Sequence, residues 1–284
     1  MAAKKGWAAF PHEAKAYDYA GDKLARSWDK LHAGDSEPFP DEARIAKLLK
    51  GSPKLGKAAD ADKIAAAIQD AWRAYHRGDF QSAFDAGEKL GALGASVAVK
   101  AGGIHAIYLL DDKNEQLKRY EALGAMAEEA SKALPDEHNT HYRRAFAIGR
   151  YGQGISITKA LSQGLAGKVK ESLDKTLKLA PKHAEAHTAL GLYHAEIINK
   201  VGALLGGMTY GAKAATGEEL LKTALKLTPD SPIAHIEYGN GLILLYGSKK
   251  EDEAASAYEK ATKLKPKDAM EKLDLEFAKS QLED

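Results

Sequence analysis

Thr176-Leu-Lys-Leu-Ala-Pro181-Lys-His-Ala-Glu-Ala-His187-Thr-Ala-Leu-Gly191 reads as the end of one helix, a polar turn and the start of another. Thr176 is small enough to sit at a close helix contact. Leu177 and Leu179 are placed to pack inward. Pro181 stops the helix, because it has no backbone N–H to donate and its ring clashes with the preceding turn. The same ending recurs as Ala130-Ser-Lys-Ala-Leu-Pro135, Ala224-Leu-Lys-Leu-Thr-Pro229 and Ala261-Thr-Lys-Leu-Lys-Pro266, so the four prolines lie 46, 48 and 37 residues apart. A polar turn and then a new helix are expected after each.

The helices that follow carry a second pattern. His187-x-x-Leu190-Gly191-x-x-His194 and His235-x-x-Tyr238-Gly239-x-x-Leu242 fit the opening of a tetratricopeptide repeat. Ala145-x-x-Ile148-Gly149-x-x-Gly152 is the stretch read as its counterpart one unit earlier. The glycine is expected where a neighbouring helix comes close. Nearer the N-terminus, Ala71-Trp72-Arg-Ala-Tyr75-His-Arg-Gly78-Asp79-Phe80-Gln-Ser-Ala83 supplies an aromatic, a Gly-Asp-aromatic turn and the alanine of a second helix. A further, weaker unit is expected from helices at 98–110 and 116–134. These patterns predict an all-α fold, a right-handed superhelical stack of about five hairpins over residues 61–268 with helical caps. Each hairpin is too small to bury its apolar face alone, so its neighbours supply the core.

Residues 1–60 read as an N-terminal helical cap and linker. A helix is expected over His12–Leu31, with Tyr17, Leu24, Trp28 and Leu31 sharing a face. A second, short helix at Asp41–Lys50 is capped by Asp41. Residues 269–284 read as a capping helix with Met270, Leu273, Leu275 and Phe277 facing inward.

Composition agrees. Alanine occurs 52 times and valine four times in 284 residues, which favours helix over sheet. Lys+Arg 41 against Asp+Glu 40 leaves a formal charge of +1. A nucleic-acid partner is not expected from so neutral a chain, because phosphate contacts call for a basic excess. Cysteine is absent, which removes thiolate metal sites and cysteine nucleophiles. No apolar run approaches the roughly 20 residues that span a bilayer, and none of signal-peptide length follows Met1-Ala-Ala-Lys-Lys5. The reading is a cytoplasmic protein without a transmembrane segment.

Two inserts stand out. Gly152–Gly167 and Lys200–Gly217 separate the helices of their hairpins, and both are apolar, glycine-punctuated and nearly uncharged. Three roles are open to them: lining a pocket for a hydrophobic small molecule, forming a self-association surface, or folding back as helix extensions that complete the core. Burial is the economical reading for apolar segments. If they are exposed, they mark an interface.

Residues 137–245, about 40% of the chain, resemble the tetratricopeptide-like domain of the regulator of microtubule dynamics family. The resemblance rests on His141-Tyr-Arg-Arg-Ala-Phe-Ala-Ile-Gly149-Arg150, on Gly167-Lys-Val-Lys-Glu-Ser-Leu-Asp-Lys-Thr-Leu-Lys-Leu-Ala-Pro181 and on His187-Thr-Ala-Leu-Gly191. The T-component family of TRAP transporters is a more distant likeness, without a counterpart of its lipoprotein leader. The resemblance implies a helical-repeat fold and a binding role with no chemical reaction, in which a groove takes peptides, partner helices or apolar ligands.

No phosphate-binding loop, Gly-x-Ser-x-Gly elbow or His-Glu-x-x-His helix is present, so no catalytic residue and no cofactor is expected. His183 and His187 stand four apart and His194 follows, but no carboxylate or cysteine joins them at metal-ligand spacing, and repeat packing explains them better. The expected site is a concave groove lined by the first helix of each hairpin. Its candidates are Trp72 and Tyr75 in the first unit and Arg143, Phe146, Arg150 and Gln153 in the third. Leu192 and Glu196 follow in the fourth, and Asn240 in the fifth. Arg143 and Arg150 lie two turns apart, placed to grip a carboxylate or phosphate together unless either pairs with an acidic neighbour such as Glu196. The leading function is a non-enzymatic scaffold that engages a partner protein or peptide. A small-molecule or lipid-binding cleft walled by Leu204, Leu205, Met208, Ile155 and Ile157 is the alternative, and a second copy of the chain is a further candidate partner.

Overall fold

The computed structural model describes residues 6–283. The opening Met1–Lys5, on which the expectation of no leader partly rested, lies outside the described residues. Among those described, every regular element is helical. Two compact units emerge: Met1–Lys30 with Glu37–Lys175, and Leu31–Ser36 with Thr176–Asp284.

The first unit contains α1 (Lys23–Leu31, its last residue in the second unit), α2 (Glu42–Gly51), α3 (Ala61–Arg77), α4 (Phe80–Lys89), α5 (Ala95–Tyr108), α6 (Lys113–Ala133), α7 (His138–Gln153) and α8 (Ile157–Ser162). Helix α9 (Leu165–Leu179) crosses the unit boundary. From α2 to α7 each helix packs on the next in chain order, as a repeat stack requires. The second unit contains α10 (Ala184–Val201), α11 (Ala203–Tyr210), α12 (Ala214–Leu227), α13 (Pro232–Tyr246), α14 (Glu251–Thr262) and α15 (Ala269–Glu283). Here α10 pairs with α12, α13 pairs with α14, α10 lies against α13, and α15 closes on α13 and α14.

The proline rule holds at every occurrence. Helices α6, α9, α12 and α14 stop short of Pro135, Pro181, Pro229 and Pro266. The small residue that opens each ending, Ala130, Thr176, Ala224 or Ala261, is fully buried. The residue two beyond the proline is the N-cap where the next helix is capped by a side chain. His183 Nδ1 accepts from the amide of Ala186 at 3.0 Å, and Asp268 Oδ1 accepts from the amide of Glu271 at 2.9 Å.

The glycine pattern holds twice and fails once. A Cβ on Gly191 would meet Leu221 Cγ at 2.7 Å and the Gly217 carbonyl at 2.9 Å, and one on Gly239 would meet the Tyr258 ring at 3.0 Å. A Cβ on Gly149 would meet nothing within 4 Å. The reason is register. Gly191 and Gly239 stand ten residues past their prolines, and ten past Pro135 is Ala145, which is buried. The third unit therefore begins one helical turn earlier than the Gly149 alignment places it.

Three other expectations shift. The span His12–Leu31 is not one helix: only a 3-10 turn at Lys15–Tyr17 and α1 form. The backbone between them is turned by Gly21 at φ +56°, and the carbonyls of Tyr19 and Gly21 accept from Arg73 on α3 instead of from within a helix. In α15, Leu273 and Leu275 are buried but Phe277 is exposed. The inserts form the short helices α8 and α11, and although Leu165 is buried, most of the large apolar side chains on those two helices do not complete the core. Ile157 (47%), Leu161 (46%), Leu204 (80%), Leu205 (54%) and Met208 (80%) are exposed. Helix α5, whose sequence signal is weakest, is buried along nearly its whole length. A helix that is apolar on all sides has no stripe to detect.

Candidate functional site

The nine candidate residues fall into a buried group and a part-exposed group. Trp72 and Tyr75 sit on α3 inside an aromatic core. Trp72 meets Trp28 edge-on at 5.9 Å, Tyr75 at 5.4 Å and stacks on His76 at 5.7 Å. Both are fully buried and belong to the packing of the first unit. Large rings at helical spacing are as useful for filling a core as for lining a groove.

Arg143 is also buried, and its acidic neighbour is neither Glu196 nor anything on α7. Glu37, in the segment before α2, receives hydrogen bonds from Ser96 Oγ at 2.6 Å and Asn139 Nδ2 at 2.6 Å. Arg143 Nη2 lies 3.9 Å from the same carboxylate oxygen, and its Nε donates to Ser96 Oγ at 3.3 Å. The Glu37 carbonyl also accepts from the Trp28 indole at 2.6 Å. This network ties the N-terminal cap to α5 and α7. A buried charge is tolerated only when so satisfied. Arg143 and Arg150 therefore do not act together.

Phe146, Arg150 and Gln153 remain as the accessible set on α7. The Phe146 ring packs over Gly103 of α5, where a Cβ would come within 2.2 Å. The Arg150 guanidinium lies 6.0 Å from the centre of that ring and donates to Gln153 Oε1 at 3.3 Å. Its positive charge is felt by the buried Tyr120 hydroxyl, as is that of Arg119 on α6, although burial is the larger effect and raises the phenol above its ordinary range.

Beside this set lies a feature the motifs did not reveal. The N-terminal residues from Gly6 onward lie without helix over α4, α5 and α6 and are held there. Arg119 Nη2 donates to the Gly6 carbonyl at 2.7 Å, and its guanidinium stacks on Trp7 at 4.2 Å. Trp7 also meets His105 at 4.5 Å and Phe84 at 5.3 Å. His105 Nε2 donates to the Ala8 carbonyl at 3.1 Å, while its Nδ1 faces Arg119 at 2.7 Å. Burial, and then the adjacent guanidinium, pull the imidazole down to about 4, so it is neutral at physiological pH. The signal that points here is local: Gly6-Trp-Ala-Ala-Phe-Pro11 places two large aromatics in a stretch otherwise without them.

In the second unit, Leu192 packs against the cluster of Leu221, Tyr238 and Leu242. Glu196 pairs with Lys200 at 3.1 Å. Asn240 bridges two partners, donating to Glu237 at 2.9 Å and accepting from the Tyr258 hydroxyl at 2.5 Å. Measured from their prolines, Phe146, Leu192 and Asn240 are equivalent positions, and so are Arg150 and Glu196. Nearby carboxylates are occupied structurally. Glu253 takes Lys250 and the Tyr238 hydroxyl, both at 2.5 Å, and Glu218 takes Lys222 and the Tyr246 hydroxyl, both at 2.6 Å. These bonds hold both carboxylates below their usual range and push Tyr246 up to about 12. Buried Glu271 is pushed up to about 7, first by desolvation and then by Asp268, but its oxygens are engaged by Lys267, which precedes α15.

Three histidines share one structural task, and it places His141 with His187 and His235 and not with His183. His141, His187 and His235 each stand six residues after a proline, and each Nε2 donates to that proline's carbonyl, at 2.8, 2.9 and 2.8 Å. Among the described residues, no group of three or more His, Cys, Asp or Glu side chains is placed to hold a metal ion. No described helix is long and apolar enough to cross a membrane. No protein-family model matches the chain, and no curated protein matches it either.

Proposed function

We propose that this chain is a non-enzymatic, tetratricopeptide-type binding or scaffold protein of the cytoplasm, which engages an extended segment of a partner protein. The observation that carries the reading is intramolecular. Residues 6–10 already lie as a non-helical segment on the first unit, held through the Gly6 and Ala8 carbonyls and the Trp7 ring. A partner's segment can be held in the same manner, its backbone carbonyls met by fixed donors and one aromatic side chain serving as the anchor. Phe146, Arg150 and Gln153 on α7 are the groove candidates of that unit that remain within reach of a partner. Arg150 suits a carboxylate on that partner, because its fork donates two parallel hydrogen bonds. The exposure of Leu204 and Met208, 80% each, favours this reading over a closed apolar cleft walled by those residues.

Capture from a cell extract tests it. The wild-type chain should retain a defined protein that Arg150→Glu fails to retain, with the melting temperature unchanged. Retention of the same proteins by both chains would refute the assignment of Arg150 to the binding surface.

A further inference from the structure

Helix α11 is an apolar knuckle held against α10 by its inner side. A Cβ on Gly206 would come 3.1 Å from Ile197 Cγ2, and the Tyr193 hydroxyl donates to the Tyr210 carbonyl at 3.3 Å. The amide of Lys213 donates to His194 Nδ1 at 3.2 Å. Gly202 at φ +84° and Gly211 at φ +65° turn the chain into and out of the helix, which fixes the side presented outward. That side carries Leu204, Leu205 and Met208, exposed at 80%, 54% and 80%. Burial of apolar side chains is the rule in a folded chain, so an anchored segment that presents three of them together is built for a surface outside the protein.

We propose that α11 docks on an anionic membrane surface, with Leu204, Leu205 and Met208 entering the interface and Lys213 meeting lipid headgroups. Two observations choose this occupant over a protein one. The first is area. Three side chains of an eight-residue helix fall far short of the roughly 800 Å² per partner that a stable protein interface buries, whereas shallow insertion between headgroups needs no complementary partner surface. The second is charge. From Ile197 to Gly217 there is no acidic residue, and the two charged residues are Lys200 and Lys213. Lys200 is balanced by Glu196 at 3.1 Å and Glu218 by Lys222 at 2.6 Å, and exposed Lys213 is the charged residue that stands between the apolar tip and Glu219 of α12. An isologous contact between two copies would bring like charges together, while an anionic bilayer is complementary. The chain rests on the membrane through this segment and does not cross it.

Co-sedimentation of the full chain with vesicles tests the proposal. Wild type should sediment with phosphatidylcholine–phosphatidylserine vesicles and not with pure phosphatidylcholine, and high salt should weaken it. Leu204→Gln with Met208→Gln should reduce the partition about tenfold or more, and Lys213→Glu should reduce it on the anionic vesicles. These positions are exposed, so the melting temperature should stay at the wild-type value, which separates lost docking from lost folding. The proposal is overturned if wild type ignores both vesicles, or if the double variant binds as well as wild type. A concentration-dependent dimer abolished by the same double variant overturns it too, in favour of a second copy. Partner capture through Arg150 is a separate readout, so failure of either proposal leaves the other standing.

Discussion

His187 donates its Nε2–H to the carbonyl of Pro181, 2.9 Å away, across the turn that leads into α10. A carbonyl only accepts, so the bond fixes which ring nitrogen carries the proton. The proline stops one helix and leaves its own carbonyl without a helical donor. The histidine, six residues on, supplies that donor from the next helix. The same pair occurs at Pro135 with His141 and at Pro229 with His235. Replacing His187 by Ala should cost about 1 kcal/mol, the net worth of one such bond, and His187→Gln should recover part of it. Chemical denaturation measures both. Added zinc should change neither midpoint.

The register of the third unit gives a prediction of opposite signs at two glycines. Gly191→Ala forces a methyl to within 2.7 Å of Leu221 and 2.9 Å of the Gly217 backbone, and should cost about 2 kcal/mol or more. Gly149→Ala meets open space within α7, and should stabilise by about 0.5–1 kcal/mol, because alanine is the better helix former. Thermal melts of the two variants side by side decide it. Equal destabilisation would mean that Gly149 also faces a close helix contact.

Arg143 and Arg150, seven residues apart on one helix, should part company under mutation. Arg143→Ala removes the buried cation beside the part-buried Glu37 carboxylate and should destabilise by about 3 kcal/mol. Arg150→Ala removes a half-buried side chain that touches Phe146 and Gln153, and should stay within about 1 kcal/mol of wild type. A double-mutant cycle between Arg143 and Glu37 should show strong coupling, since the two are 3.9 Å apart and share Ser96.

His105 makes docking of residues 6–10 depend on pH. In the unfolded chain the imidazole takes up a proton near its ordinary value of 6.5, while in the folded chain it resists down to about 4. The stabilisation is therefore complete above pH 6.5 and is lost as pH falls from 6.5 through 4. About 2 kcal/mol should disappear over that window, and the N-terminal segment should release, because a second positive charge would face Arg119. The emission difference between wild type and Trp7→Phe, followed from neutral pH down to 4, reports the release. In His105→Gln that transition should flatten.

Local chemistry was enough to write the helix ends into the sequence. A proline stops a helix wherever it falls, so the ends of α6, α9, α12 and α14 could be read without any neighbour. Alanine abundance and scarce valine likewise decide helix against sheet residue by residue. Asp41 capping α2, at 2.7 Å from the Arg44 amide, belongs to the same class of short-range fact. What sequence could not decide is which faces are covered, because burial depends on segments far away in the chain. Arg143 looked like a groove residue until Glu37 closed over it from 106 positions earlier. Trp72 and Tyr75 carry the same rings whether they face a partner or a core, and only the arrival of Trp28 and its neighbours places them inside. Helix α11 had the composition of a buried segment, yet with just eight residues between two turning glycines it covers α10 with its small inner side and leaves its leucines outside. Sequence alone therefore determined where the proline-terminated helices end, because a proline acts locally, and the tertiary structure decided what each helix face meets, because burial depends on distant segments.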